Sequence, residues 1–290
     1  MKKLSNSFLI LLMFSLFANA QVSSFMYVKV APENQAEFER LETTYWSQVA
    51  KKGIDDGKMI AWGLMRKVGI AGSDANYILV NIFENFQDAS NAMSIWDPSL
   101  IQMELKDIDT NNLKETLALH YYQIEDVIEG PSKYNIHNYA TPKNLVGFVE
   151  ENLNLWKPLI KDNIKKNRTK QTNWGIGTRV YPKGSDAGFS VFTRDGFESL
   201  ADAMEALSFK PNYPAFFNDV MGKTKMNEYN PNGFQHQIIY ENIKWVNYLL
   251  NNHKSIKMKK LLMLLAVVFT TSIFGQTSIR VVDFDVKWGA

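Results

Sequence analysis

The chain has 290 residues, no cysteine and a formal charge of +2, from 32 basic and 30 acidic side chains. The missing cysteine excludes disulfides, thiolate metal sites and cysteine nucleophiles together, and the balanced charge argues against nucleic acid as a partner. Aromatic residues make up 13 % of the chain, enough for a sizeable core, so stability has to come from packing.

Residues 1–20, MKKLSNSFLILLMFSLFANA, have the three-part layout of a secretory signal peptide: two lysines, an apolar stretch from Phe8 to Phe17, and Ala18-Asn19-Ala20 before Gln21. The mature chain is expected to start at Gln21 and to reside in the periplasm or outside the cell. Next, residues 24–30 predict a strand with Met26, Val28 and Val30 on one face. Pro32 opens a helix over 33–52 that Gly53 is expected to end. A strand at 58–68, a Gly-Ser-Asp turn at 72–74 and a strand at 76–83 follow. A helix at 86–95, a polar linker with an extra helix over 98–113, and a strand at 116–125 complete the first series.

The second series repeats the first: strand 134–140, helix 142–166, strand 172–181, the turn KGSDAG, strand 188–194, helix 197–207, a linker rich in Pro, Asn and Phe, and strand 234–241. Four landmarks recur in order. YVKVAP at 27–32 falls on HNYATP at 137–142, Trp46 on Trp156, Trp62-Gly63 on Trp174-Gly175, and FQDASNAM at 86–93 on FESLADAM at 197–204. A recurring period of about 110 residues implies two homologous units, here 21–130 and 131–250, with 251–290 outside them. The basic run KKNRTK at 165–170 reads as a solvated helix end.

Within that tail, MKKLLMLLAVVFTTSIFGQ at 258–276 repeats the signal-peptide layout. As a helix, Leu261 to Gly275 would rise only ~22 Å, short of a ~30 Å hydrocarbon core. The expectation is therefore the start of a neighbouring reading frame joined at Met258, with a membrane anchor or a folded tail as the alternatives. No stable membrane span is expected in residues 21–250.

The element order, strand-helix-strand-strand-helix-strand twice, gives an α+β class built from two tandem ferredoxin-like repeats. Each repeat would cover one sheet face with helices and bury the other against its twin. On this order and repeat, over residues 24–245, the chain resembles the dimeric α/β-barrel superfamily, which includes NIPSNAP-like proteins, antibiotic-biosynthesis-type monooxygenases and haem-degrading monooxygenases. The resemblance implies an intramolecular version of the barrel. Haem-degrading members carry an iron-ligating histidine on the second helix. FQDASNAMSIW and FESLADAMEALSF contain none, so no cofactor is expected. Asp107, Asp109 and Asn111 open like a calcium loop, but Asn112 and Ala118 stand where its glycine and closing glutamate belong, so no metal is expected either.

Alternation places Tyr27 and Lys29 between the sheets, with His137 and Tyr139 at the matching positions of the second half. With Ile78, Val80 and Ile82 assigned to the helix side, Asn81 turns inward; with Phe189, Val191 and Thr193 assigned likewise, Ser190 and Arg194 do. Trp62 and Trp174, each before a strand glycine, read first as core and second as pocket lining. The candidate ligand site is therefore Tyr27, Lys29, Asn81, His137, Tyr139, Arg194, Trp62 and Trp174. Lys29 and Arg194 would meet an anionic or carbonyl-bearing ligand, and His137 would titrate near neutrality. Two functions fit: an exported small-molecule-binding or interaction protein, or a cofactor-independent monooxygenase-like enzyme acting on a small aromatic or carbonyl-bearing substrate.

Overall fold

Strand alternation and the duplicated element order lead to a closed sheet. The computed structural model describes residues 21–247, except 70–73, 185–186 and 209–216. The expected signal segment 1–20 and the tail 251–290, including 258–276, lie outside the described residues. The strands are β1 Val22–Val30, β2 Ala61–Lys67, β3 Tyr77–Phe83, β4 Lys114–Ile128, β5 Tyr134–Ala140, β6 Gln171–Tyr181, β7 Val191–Phe197 and β8 His236–Asn247. They form a closed antiparallel barrel in the order β1-β3-β2-β8-β5-β7-β6-β4. Read from β4, the ring is β4-β1-β3-β2 followed by β8-β5-β7-β6, the same order twice. The two half-sheets join edge to edge through β2–β8 and β4–β6, and closure leaves no strand edge unpaired. Among the described residues, no helix is long and apolar enough to cross a membrane.

The expected first helix of each half is broken at the same place. Pro32–Asn34 is a 3-10 turn, Gln35–Leu41 and Ser47–Asp55 are α-helical, and Glu42–Trp46 between them is a π turn. The second half gives Leu145–Glu151, a π turn at Asn152–Trp156, and Lys157–Lys165. Each π turn aims a tryptophan at the linker side. Trp46 Nε1 donates to the Ile108 carbonyl at 2.8 Å, and Trp156 Nε1 to Glu151 at 3.1 Å, a carboxylate that also accepts from the Lys225 amide. Gly53 does not end its helix. A Cβ there would come within 2.5 Å of Ile95, so it serves a close contact with the 3-10 turn Ala92–Ile95, and the stop comes at Gly57 with φ +72°. The linker helix expected over 98–113 is a series of short turns, Pro98–Ile101, Leu105–Ile108 and Asn111–Leu113.

The Glu42 side chain is 4 % exposed and accepts from Thr110 Oγ1 at 2.9 Å. Burial pushes its pKa up to about 7, against the pull of Lys114 and of the Thr110 hydrogen bond. A carboxyl raised in the folded state contributes stability below its ordinary pKa and loses it as pH rises through the folded value. Glu42→Gln is therefore expected to gain on the parent by about 1.4 kcal/mol per pH unit between pH 4.5 and 7. Urea unfolding at pH 4.5 and 8 checks this, and an identical difference at both would refute it.

The Trp-Gly pairs set the wall thickness. Trp62 and Trp174 turn out of the barrel, and the glycines that follow turn in. A Cβ at Gly63 would lie 2.1 Å from the Trp245 ring; one at Gly175 meets only Val127 at 3.4 Å, while one at Gly177, two residues on along the same face, would lie 2.7 Å from Phe192. Gly63 and Gly177 each let an aromatic ring from a neighbouring strand lie over the wall. Gly63→Val is expected to cost at least about 1–3 kcal/mol through overpacking, read as a lower urea midpoint at unchanged slope.

Candidate functional site

Side chains alternating inward from all the strands meet inside the barrel. Phe25, Met65, Ile78, Val80, Tyr122, Tyr139, Phe192 and Tyr240 form one buried cluster, with Tyr27, Phe189, Ile238 and Trp245 packed against it. Ring centroids interlock at 5.0 Å for Phe25–Tyr122, 4.8 Å for Tyr122–Phe192 and 4.4 Å for Tyr139–Phe189. The described interior is a packed aromatic core crossed by a thread of polar atoms.

That thread runs His137–Tyr139–Tyr27–Tyr122–His120. His137 Nδ1 lies 3.2 Å from the Tyr139 hydroxyl, which lies 3.2 Å from that of Tyr27; the Tyr27 hydroxyl is 3.4 Å from that of Tyr122, and His120 Nδ1 closes the chain 3.2 Å from Tyr122. Both histidines precede their tyrosine by two residues on a strand, so both pairs project from the same face. Burial, reinforced in both by neighbouring phenols, raises the pKa of Tyr27 and Tyr139 well above that of a free phenol, and burial pushes Tyr122 to about 12. All three phenols stay protonated at neutral pH. Burial, then the Arg194 cation, brings His137 down to about 3; burial, then Arg179, brings His120 down to about 4.

Counting protons fixes the polarity of this thread. Four links join the five groups, and three hydroxyls supply three protons, so one neutral imidazole must donate from Nδ1 and the other accept there. Among the described residues His137 Nε2 is buried without a partner. A buried orphan N–H is rarer than an unsatisfied acceptor, which makes His137 the Nδ1–H donor. The chain then points from His137 to His120, and His120 carries its proton on Nε2. His120 is half-buried and Tyr27 partly so, whereas His137 is 1 % exposed. The thread begins in the core and ends at one barrel mouth.

Arg179 stands at the same mouth, opposite Tyr122 in the β4–β6 ladder. Its guanidinium lies 3.8 Å from the Phe189 ring centroid, and Nη1 donates to the Ala187 carbonyl. Arg194, opposite His137 on β7, belongs to the deeper part of the interior. Burial lowers its pKa against the opposing charges of Glu129 and Asp195.

Of the eight residues expected at a ligand site, the structure brings Tyr27, His137 and Tyr139 together, with Arg194 beside His137. Asn81 is not among them. β3 presents Ile78, Val80 and Ile82 to the interior, the reverse of expectation, because β3 is apolar on both faces and alternation carries no signal there. Asn81 instead donates to Ser24 Oγ at 2.9 Å on the outer face. Trp62, paired with Asn81, is on that face too, and Trp174 packs in the cluster of Phe148, Ile176 and Val191. Both tryptophans are core. Phe189 was expected under the helices and faces the interior. Lys29 joins none of the interior hydrogen bonds; it lines a separate cleft of about 660 Å³ with Gln35, Arg66 and Glu241, where Arg66 is already paired to Glu39 and Glu241. His137, held neutral by burial, is not a group that titrates near pH 7. Tyr122, His120 and Arg179 were missed, although the repeated His-x-Tyr spacing at 120–122 and 137–139 marks the first two. Alternation from Gly175 and Gly177 marks Arg179.

Among the described residues no three His, Asp or Glu side chains converge. The helices Phe86–Ser90 and Leu200–Leu207 carry no histidine.

No protein-family model matches the chain, and no curated protein matches it in sequence. The fold is that of the dimeric α/β barrels. A proposed monooxygenase from Lactobacillus acidophilus aligns at TM-score 0.50 and 9 % identity over 79 % of this chain and 97 % of its own. An anthrone oxidase-like protein aligns at 0.50 and 9 % over 80 % and 94 %. A proposed monooxygenase from Fusobacterium nucleatum aligns at 0.49 and 11 % over 80 % and 96 %. At such identities the likeness concerns architecture, since one fold hosts many activities.

Proposed function

We propose that this is an exported small-molecule-binding protein, a tandem ferredoxin-like duplication whose ligand enters the barrel at the His120 end. The duplication is supported by the strand order read twice around the ring and by the two π turns, 110 residues apart. Binding is supported above all by the polar thread, which is sealed at His137 and ends in a half-buried His120 among aromatic rings. A few convergent polar groups in an apolar setting are the usual makings of a ligand site. Export follows from the Ala18-Asn19-Ala20 pattern. N-terminal sequencing of the protein from its exporting host is expected to begin at Gln21, and a retained Met1 would refute export.

Native mass spectrometry of the purified full chain tests the binding reading. The expected result is a non-covalent mass excess that disappears under denaturing conditions and is reduced in His120→Phe. A bare mass in parent and variant alike would contradict it.

The oxygenase-like reading draws on the likeness to proposed monooxygenases and an anthrone oxidase-like protein. A cofactor-independent oxygenation requires a base to remove a substrate proton. His120, with a pKa near 4, is a weak base, so binding is the better-supported role. Oxygen uptake on a hydroxylated aromatic substrate, abolished by His120→Gln, would reverse that preference.

A further inference from the structure

Arg179 is 3 % exposed, yet among the described residues its Nε and Nη2 make no hydrogen bond, although the guanidinium sits close enough to the Tyr122 hydroxyl to lower that group's pKa. These two N–H groups share one edge of the planar guanidinium and point in parallel, at the spacing of the two oxygens of a carboxylate. A desolvated cation with two idle donors is among the costliest things a core can hold, and an occupant that accepts from both removes the cost. Phe189 ties this edge to the end of the polar thread: its ring backs the guanidinium at 3.8 Å and meets the His120 ring edge-on at 5.8 Å. The proton count gives His120 an N–H at Nε2. Three donors therefore lie at the mouth: Arg179 Nε–H, Arg179 Nη2–H and His120 Nε2–H.

We infer that the mouth is a carboxylate subsite for a small, largely apolar acid, gripped side-on by Arg179 Nε and Nη2. His120 Nε2–H donates to one of the same oxygens, and the apolar body lies against Phe189 and Tyr27. The assignment rests on the reading of this barrel end as a small-molecule site and adds the chemical class that the site selects. It also explains why a neutral His120 suits the position: the cation beside it already supplies the charge, and the imidazole supplies direction.

Benzoate is the probe, with benzamide as its uncharged counterpart. Calorimetric titration of the full chain at neutral pH is expected to show benzoate binding at least about ten-fold tighter than benzamide. Arg179→Met should erase that preference, and Arg179→Lys, which keeps the charge without the fork, should retain only part of it. In parallel, benzoate should shift the imidazole nitrogen resonances of His120 and leave those of His137 in place. That readout in the parent stands even if Arg179→Met fails to fold. Benzamide binding as tightly as benzoate, or a benzoate preference left unchanged in Arg179→Met, would overturn the carboxylate assignment while leaving a small-molecule site at the mouth. Binding of neither compound, with His120 unmoved by both, would overturn the assignment and the site together.

Discussion

Replacing Trp174 with alanine is expected to destabilise the chain by about 3–5 kcal/mol, the range for truncating a buried large aromatic. The indole is 2 % exposed and packs with Ile128, Phe148, Ile176 and Val191 beneath the helices of the second half. Little can collapse into the vacated space, because β6 is paired on both sides and its neighbour Gly175 faces the opposite way. Denaturant unfolding should show a large drop in midpoint at unchanged slope. A variant as stable as the parent but altered in ligand binding would mean that Trp174 lines a pocket, and the assignment of the tryptophans to the core would be wrong.

The second large effect is in pH. With His137 depressed to about 3 and His120 to about 4, the unfolded chain binds protons more readily than the folded one below pH 6.5. A histidine depressed in this way contributes stability above its unfolded pKa and loses it as pH falls toward the folded value. The two buried carboxyls run the other way. Glu42 near 7, and Asp195 pushed to about 6 by burial despite hydrogen bonds from Asn138 and Gln171, lose their contribution as pH rises. The raw profile of the parent thus mixes opposed slopes, and the difference between parent and variant isolates one group. His137→Gln is expected to be less stable than the parent at pH 7, and the gap should narrow by about 1.4 kcal/mol for each pH unit below 6.5. A constant gap from pH 7 to 4 would show that His137 titrates as an ordinary histidine, and the orientation assigned to the hydrogen-bond thread would lose its basis.

The architecture was legible where one face of an element is polar. β5 at 134–140 has the bounds its alternation implies, and the repeat points to the doubled strand order. β7 begins three residues later than expected because Gly188, at φ +81°, keeps the chain in the preceding turn. The face of β3 could not be read from YILVNIF, since Tyr77, Leu79 and Phe83 are buried on one side and Ile78 and Val80 on the other. The site followed the same rule. Tyr27, His137 and Tyr139 came from strands with clear alternation, whereas Asn81 inherited the ambiguity of β3. Trp62 and Trp174 were weighed without the fact that the following glycines carry the inward face. His120 and Tyr122 sit on β4 opposite Phe25 and Ser23, clear of the register shift at Leu117, so they share the inward face of Phe25 and Tyr27, but that face could be read only once the β1–β4 pairing was known. The neutrality of His137 depends on how deeply the closed barrel buries it, which no local pattern encodes.

Crystallographic fragment screening tests the central claim most directly, because it locates a ligand without presuming its identity. Crystals of the full chain soaked with a library of small aromatic acids and amides are predicted to show density at the barrel mouth, between Tyr27, His120, Phe189 and Arg179. Density confined to the helix-covered faces beside Trp62 and Trp174, with the mouth empty across the library, would contradict the account.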